Sequence, residues 1–370
     1  MRVLFLSVTA GQGHNRTAKA VMNYLEGQNV SCRLIDTFEY INPILGESID
    51  KGYQISTKFT PVVYGKIYRA AEKREKSLSR VSIPKLISSV LSKKLINLLR
   101  EYNPDVIVCT HIFAAQIISY LKQKGLEAKS VGIITDFTVH PFWEEADMDY
   151  YITADALLNH QMSKKGIDLS KVKPLGIPID MKFSIKRSPS EARKALGFED
   201  KTTVLVMSGS MGYGNLASTI AQIDRLPWDL QIVSVCGNNR KLKRKIDIMK
   251  TRKKVYNFEF VNNVDVLMDA ATCIVTKPGG LTISESMAKQ LPMILANPIP
   301  GQEDRNVEFL VNNGFAVKIS NTYPIDEAIF QLMTNNNRIA YLKSLLADVG
   351  KPYAARDVAN LIMEMGQHER

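Results

Sequence analysis

Residues 273–286 read CIVTKPGGLTISES. Cys273-Ile274-Val275-Thr276 is a short apolar, β-branched run stopped by Lys277-Pro278 and a pair of glycines, after which the pattern predicts a helix. A strand that feeds a helix through a glycine turn is the repeating unit of a parallel sheet with helices on both faces. The neighbouring runs share the pattern: TTVLVMSGS (202–210), LQIVSVCG (230–237), KVYNFEFV (254–261), MILANPIPG (293–301) and FAVKIS (315–320) each pass from apolar residues into Gly, Pro or Asn. An earlier series runs through 3–8, 30–35, 105–110 (DVIVCT), 130–135 (SVGIIT) and 149–153, with a helix expected over 17–27. The polar, proline-containing stretch at 178–200 separates the two series. The expected fold class is therefore α/β, two doubly wound Rossmann-like domains facing across a cleft: 1–185, 186–350, and a terminal helix over 351–370 packing back toward the first. Ligands of such sheets bind outside the carboxyl ends of the strands, so the chemistry belongs in those loops.

The 370 residues suffice for two domains, and 45% hydrophobic with 23% charged residues excludes a largely disordered, collagen-like or integral-membrane chain. A net charge of +11 asks for an anionic partner: nucleic acid, an acidic membrane surface or a phosphorylated substrate. The charge is local. Residues 58–100 carry eleven Lys/Arg against Glu72 and Glu75, residues 240–254 carry nine against Asp247, and the remainder is net negative. Cys32, Cys109, Cys236 and Cys273 are scattered, without a CxxC pair or a zinc-spaced histidine, and read as reduced thiols. The first apolar run is short and enters a Gly/His loop, and no run approaches the roughly 18 residues of a membrane span, so the expectation is a cytoplasmic chain.

Several loops carry possible chemistry. Gly11-Gln12-Gly13-His14 follows the first strand; its glycines admit a ligand close to the backbone, and an imidazole there can take a proton near neutral pH. The spacing fits neither a dinucleotide fingerprint nor a Walker loop. TDFTVHPFW (135–143) gathers Asp136, His140 and Trp143: a carboxylate that could assist a base and aromatics that could stack on sugar or meet lipid. A capping aspartate with aromatics in the core accounts for it equally well. After Gly279 and Gly280, first-turn N–H groups can receive a diphosphate, aided by the helix dipole and Thr282, and Glu285 one turn later can accept both hydroxyls of a ribose. PIPGQEDRN (298–306) supplies Gln302, Glu303 and Asn306, amides and a carboxylate suited to sugar hydroxyls. Ser208-Gly209-Ser210 begins a further glycine loop that could close on the same diphosphate.

GQGH at 11–14, TDF..H..W at 135–143, GIPI at 176–179, KPGG.T..E at 277–285 and PGQE..N ending at 306 stand together in one chain. In this order and spacing the chain resembles the GT-B glycosyltransferases of the family containing the monogalactosyldiacylglycerol synthases and the processive diacylglycerol glucosyltransferases. More distantly it is similar to the N-acetylglucosaminyltransferase of peptidoglycan synthesis. The resemblance implies an inverting, UDP-sugar-dependent hexosyltransferase that makes glycolipid, with diacylglycerol bound by the first domain and the UDP-sugar by the second. It places the family's essential histidine on His14 and its Thr-Asp motif on Asp136, with Gly13, His140 and Trp143 on the acceptor side. Around the diphosphate it places Gly209, Ser210, Lys277, Gly279, Gly280 and Thr282, at the ribose Glu285, at the sugar Gln302, Glu303 and Asn306, and near the uracil Phe260 and Val261. Pro278, shared with the glucosyl enzymes, favours glucose over galactose; Gln12 departs from the plant enzymes. The UDP-sugar is a substrate, and neither a cofactor nor an obligatory metal is expected: no Asp-x-Asp lies at a strand end of the second domain. Asp147-Met148-Asp149 has the pattern but precedes a strand of the first.

An acceptor dissolved in a bilayer requires a docking surface, and residues 53–80 interleave aromatics with the first basic cluster. Tyr64, Lys66, Arg69, Lys73 and Arg74 are expected to face an anionic lipid membrane surface, the inner face of the cell membrane, each cation contributing about 1 kcal/mol. The leucine stripe through 83–99 reads as a crossover helix, and the 240–254 cluster as a solvated helix face. The alternatives are a UDP-sugar transferase acting on a polyprenyl-linked acceptor and, in a different class, a regulatory protein that binds an anionic polymer. Nucleic acid is not expected as a partner, because no recognition motif or aromatic platform accompanies the charge.

Overall fold

Buried on both faces, the apolar runs of the sequence pair as two parallel sheets. The computed structural model describes residues 1–9, 12–41, 94–207, 209 and 215–367. In the first sheet β1 (Arg2–Ser7), β2 (Ser31–Asp36), β3 (Val106–Cys109), β4 (Lys129–Ile133), β5 (Tyr150–Ile152) and β6 (Val172–Lys173) lie in the order β2-β1-β3-β4-β5-β6. In the second, β7 (Thr203–Met207), β8 (Gln231–Val235), β9 (Val255–Phe258), β10 (Cys273–Thr276), β11 (Met293–Leu295) and β12 (Ala316–Lys318) lie in the order β12-β11-β10-β7-β8-β9. Each sheet winds outward in both directions from its first strand. The order therefore reverses between β1 and β3, paired at Val3 and Val106, and between β7 and β10, paired at Val206 and Val275. The loops leaving those strand pairs diverge to opposite faces and leave a crevice at the carboxyl edge.

Contacts divide the chain into two units, one comprising Met1–Met181, Pro300–Gln302 and Tyr353–Arg370, the other Lys182–Ile299 and Glu303–Pro352. The first packs Val3, Phe5, Val108, Val131 and Ile133 of its sheet against Ala18, Val21 and Leu25 of helix Gly13–Gly27 and Val358, Ala359 and Ile362 of helix Ala354–Gln367. Both helices bury residues three or four apart, as one-sided packing demands, and they pack on each other. The second unit packs Val204, Val206, Ile232, Val275 and Ile294 against helices Leu216–Asp224 and Ile325–Met333. Residues 182–187 are tied to this unit by charge. Lys289, its side chain fully buried, donates to Ile185 O and to Asp269 Oδ2 at 2.8 Å, and Arg187 reaches Asp265 and Asp269 at 3.5 and 3.4 Å.

Four local features differ from or refine the sequence reading. The first helix begins at Gly13 rather than 17, with Arg16 N–H bonded to Gln12 O at 3.1 Å, which puts His14 in its first turn. β6 has two residues and no strand signature in the sequence. Residues 94–102 are helical with Leu95, Leu98 and Leu99 buried, the described end of the leucine stripe. The basic helix Arg240–Asp247 buries only Ile246, as a solvated face does. All four cysteines are unpaired thiols. Among the described residues no helix is long and apolar enough to cross a membrane.

Candidate active site

His14 gathers three strand ends of the first unit. It lies on the helix that follows β1, and its Nδ1 is 2.7 Å from the carbonyl oxygen of Thr110, which follows β3, and 3.1 Å from Oγ1 of Thr135, beyond β4. A carbonyl only accepts, so Nδ1 carries the hydrogen and Nε2 keeps a lone pair. Burial lowers the pKa of the half-buried ring below the ordinary value of 6.5, opposed by the charge of Asp136 and by the bond to Thr110. The loop leaving β1 is pinned by Asp36, whose Oδ2 accepts Thr9 N–H at 2.6 Å, and by Asn15, which donates to Thr9 Oγ1 at 3.0 Å. Gly13 opens the helix with free space where a Cβ would stand.

Two further histidines cap the neighbouring turns. His111 begins helix Ile112–Lys122, its Nδ1 accepting Phe113 N–H at 3.3 Å, and its ring meets that of His14 edge-on with centroids 4.7 Å apart. Burial, and then His14 and His140, hold its pKa well below the ordinary value. His140 accepts Phe142 N–H at 3.2 Å, and burial followed by Lys165 lowers its pKa to about 4. Trp143 belongs to the core: its indole covers Gly132 of β4 so closely that a Cβ there would stand 2.8 Å from Cζ3, and its ring meets Tyr151 edge-on. Asp136 supplies the charge that acts on His14. Asp147 and Asp149 are structural. Asp149 Oδ2 accepts from Lys122 at 2.6 Å and Ser130 N–H at 2.7 Å, and Asp147 pairs with Lys171 at 2.9 Å.

In the second unit Gly209, Lys277, Gly279, Glu303 and Asn306 form one cluster at the carboxyl ends of β7 and β10. Lys277 Nζ bonds Glu303 Oε1, and Glu303 Oε2 accepts Ile299 N–H at 2.8 Å, so both oxygens of this buried carboxylate are engaged and Glu303 is the counter-ion of Lys277. Asn306, fully buried, donates to Pro278 O at 2.9 Å and fixes the turn. Gly209 has φ +71°, open to glycine at little cost, and a Cβ on it would stand 3.1 Å from Lys277 Cε. A Cβ on Gly279 would lie 3.6 Å from Lys277 Nζ and 3.5 Å from Glu303 Oε1, which places the ammonium directly over the start of helix Gly280–Ala288. That helix has Gly279 as N-cap and no side-chain cap, so its first-turn N–H groups, at Gly280, Leu281 and Thr282, point out of the helix end. A positive helix end beside an ammonium can receive an anion that displaces Glu303.

Glu285, buried, and Thr282, half-buried, are on the same helix; Phe260, exposed, and Val261 follow β9, and Gln302 opens helix Gln302–Asn312. Gly11, Ser210 and the expected membrane residues Tyr64, Lys66, Arg69, Lys73 and Arg74 lie outside the described residues. Among the described residues no His, Cys, Asp and Glu side chains group as metal ligands. The sequence reading passed over His111, although it stands at the carboxyl end of DVIVCT, the strand next to β1 at the order reversal. That position is the signal that would have found it.

Residues 14–179 match the monogalactosyldiacylglycerol (MGDG) synthase family and residues 203–351 the glycosyltransferase family 28 C-terminal domain. Over 367 residues the chain is 27% identical to a protein of Bacillus thuringiensis (strain Al Hakam) named processive diacylglycerol beta-glucosyltransferase, spanning 98% of this chain and 93% of that one. Among solved structures it is similar to MurG from Acinetobacter baumannii, with a TM-score of 0.65 at 14% identity over 98% of this chain and 99% of that chain. It is also similar to HepE from Anabaena in complex with UDP-glucose, with a TM-score of 0.55 at 13% identity over 98% and 99%. The fold is GT-B.

Proposed function

Because the chain belongs to the glycosyltransferase family that joins an MGDG synthase domain to a family 28 C-terminal domain, we propose that it transfers glucose from UDP-glucose to diacylglycerol with inversion, at an anionic membrane surface. The observation that carries the reading is the 2.7 Å contact of His14 Nδ1 with the carbonyl of Thr110, which fixes the tautomer. Bound through Nδ1–H to Thr110 O and held neutral by burial, His14 offers the Nε2 lone pair as a general base. The name of the Bacillus relative supports diacylglycerol and glucose, and Pro278 favours glucose over galactose.

His14 Nε2 takes the proton of the acceptor hydroxyl as the oxygen attacks the anomeric carbon from the side opposite the diphosphate. The bond from that carbon to the diphosphate oxygen breaks, UDP leaves, and the α linkage of the donor becomes a β linkage. Charge gathers on the leaving diphosphate, where the N–H groups of Gly280, Leu281 and Thr282 and the ammonium of Lys277 stabilise it. As the diphosphate binds, Lys277 exchanges Glu303 for phosphate and frees Glu303, with Gln302, for the sugar hydroxyls. Glu285 accepts the ribose hydroxyls, and Phe260 with Val261 contacts the uracil. Asn306 holds Pro278, and with it the glycine turn, in place. Tyr64, Lys66, Arg69, Lys73 and Arg74 dock on anionic lipid.

The test is transfer by the purified chain from UDP-glucose or UDP-galactose to diacylglycerol in mixed micelles, with the product's anomeric configuration read by NMR. β-Glucosyldiacylglycerol is expected. No transfer from either donor, or an α product, overturns the reading.

A further inference from the structure

We propose that His111 is a second catalytic group on the acceptor hydroxyl, donating a hydrogen bond from Nε2–H to the acceptor oxygen while His14 Nε2 takes its proton. The inference rests on the reading of His14 as the base. Its argument is one of tautomers. Thr110 O fixes the hydrogen of His14 on Nδ1 and the lone pair on Nε2. Phe113 N–H, donated to His111 Nδ1, does the opposite: in the neutral ring the hydrogen must sit on Nε2. The two rings meet edge-on, centroids 4.7 Å apart and planes at 79°, on the loops that leave the adjacent strands β1 and β3. Both are half-buried, enclosed enough to stay neutral and open enough to meet a ligand.

The pair therefore offers one lone pair and one N–H on two rings in contact at the order reversal of the sheet. A hydroxyl is the group that matches it, with one hydrogen to give and lone pairs to receive. A phosphate or carboxylate would face the lone pair of His14 with nothing to donate, and an ammonium would face the N–H of His111 with nothing to accept. As the proton moves to His14, negative charge grows on the acceptor oxygen and the bond from His111 strengthens. His14 then becomes a cation, and its nearness disfavours a second charge on His111, which keeps His111 a neutral donor.

His111 also caps helix Ile112–Lys122, so the test must separate the cap from the far nitrogen. An asparagine amide stands where Nδ1 stands and remains a good N-cap; a glutamine amide reaches toward the position of Nε2 but gives up the cap. The proposal expects His111→Asn to keep the melting temperature and the KM for UDP-glucose while kcat falls about 100-fold. It expects His111→Gln to melt earlier yet keep kcat within a few-fold. A purely structural His111 reverses the pattern, with the Asn variant normal and the Gln variant impaired, and overturns the proposal. Should the Asn variant fail to fold, the Gln variant decides alone: retained kcat supports the donor role and lost kcat overturns it. A wild-type protein inactive on every lipid acceptor would instead strike the proposed function, a result distinct from both.

Discussion

On the proposed reading His14 is the residue on which the chemistry turns, and its environment makes its pH behaviour specific. Only the neutral ring can act as a base, so kcat/KM should fall as pH drops through its pKa, which burial sets below 6.5, and stay flat above. Asp136 raises that pKa, so Asp136→Asn should move the acid limb to lower pH and weaken the base; a pH–rate profile in which the limb stays put or moves up would show that Asp136 does not act on His14. His140 has a different consequence, in stability. Its folded pKa is about 4 against 6.5 for the free group, so the unfolded chain takes up the proton first. Stability should be complete above about 6.5 and decline as pH falls toward about 4, visible as a falling urea midpoint, and the decline should lessen in His140→Asn. At this scale the sequence was uneven. His14 stood out because a glycine loop preceded it, whereas His111 sits in a run of apolar residues and becomes visible only once β1 and β3 are neighbours.

At the level of elements, what could be read were the fully buried strands. β1, β3, β7 and β10 are short, apolar and bounded by turn residues, and each appears within about a residue of its expected place. The helix after β1 started earlier than expected because Gly13 and His14 are poor helix formers, and their helical state is secured by a tertiary bond to Thr110 that local sequence does not encode. The aromatic motif at 135–143 divided the same way: Trp143 went to the core, for which the space above Gly132 is the reason. Gly132→Ala should therefore destabilise the first unit by about 1–3 kcal/mol, since a methyl meets the rigid indole. Lys289→Met should destabilise the second by about 3 kcal/mol, because Asp269, almost wholly buried, loses its closest cation and is left with Arg187 at 3.4 Å and the more distant Lys186. Denaturant unfolding of the two variants measures both; a change within a few tenths of a kcal/mol in either would refute the packing argument for that element.

For the molecule as a whole, the net charge of +11 describes neither the cluster around Lys277 nor the one around His14. The cluster around Lys277 holds backbone N–H groups of a helix start and one ammonium already balanced by Glu303, while the one around His14 holds imidazoles whose pKa values burial lowers. UDP should accordingly stabilise the unit containing Lys277, raising the midpoint of its unfolding transition in calorimetry by an amount equivalent to about 2.7 kcal/mol at one hundred times its Kd, and Lys277→Met should reduce that shift. A shift undiminished in that variant would remove Lys277 from the diphosphate site.

The return of the chain to its first unit bears on how the protein is made. Val358, Ala359 and Ile362 complete the core begun by Val3 and Phe5, so β1 cannot finish its packing until the helix Ala354–Gln367 has been made. The second unit, almost entirely contained in one continuous stretch between Lys182 and Pro352, can close as soon as it has emerged from the ribosome. Biosynthesis then runs against the usual amino-to-carboxyl order of folding: the second unit can mature first, and the unit that carries His14 stays open, its sheet missing a helix, until residues 354–367 have emerged.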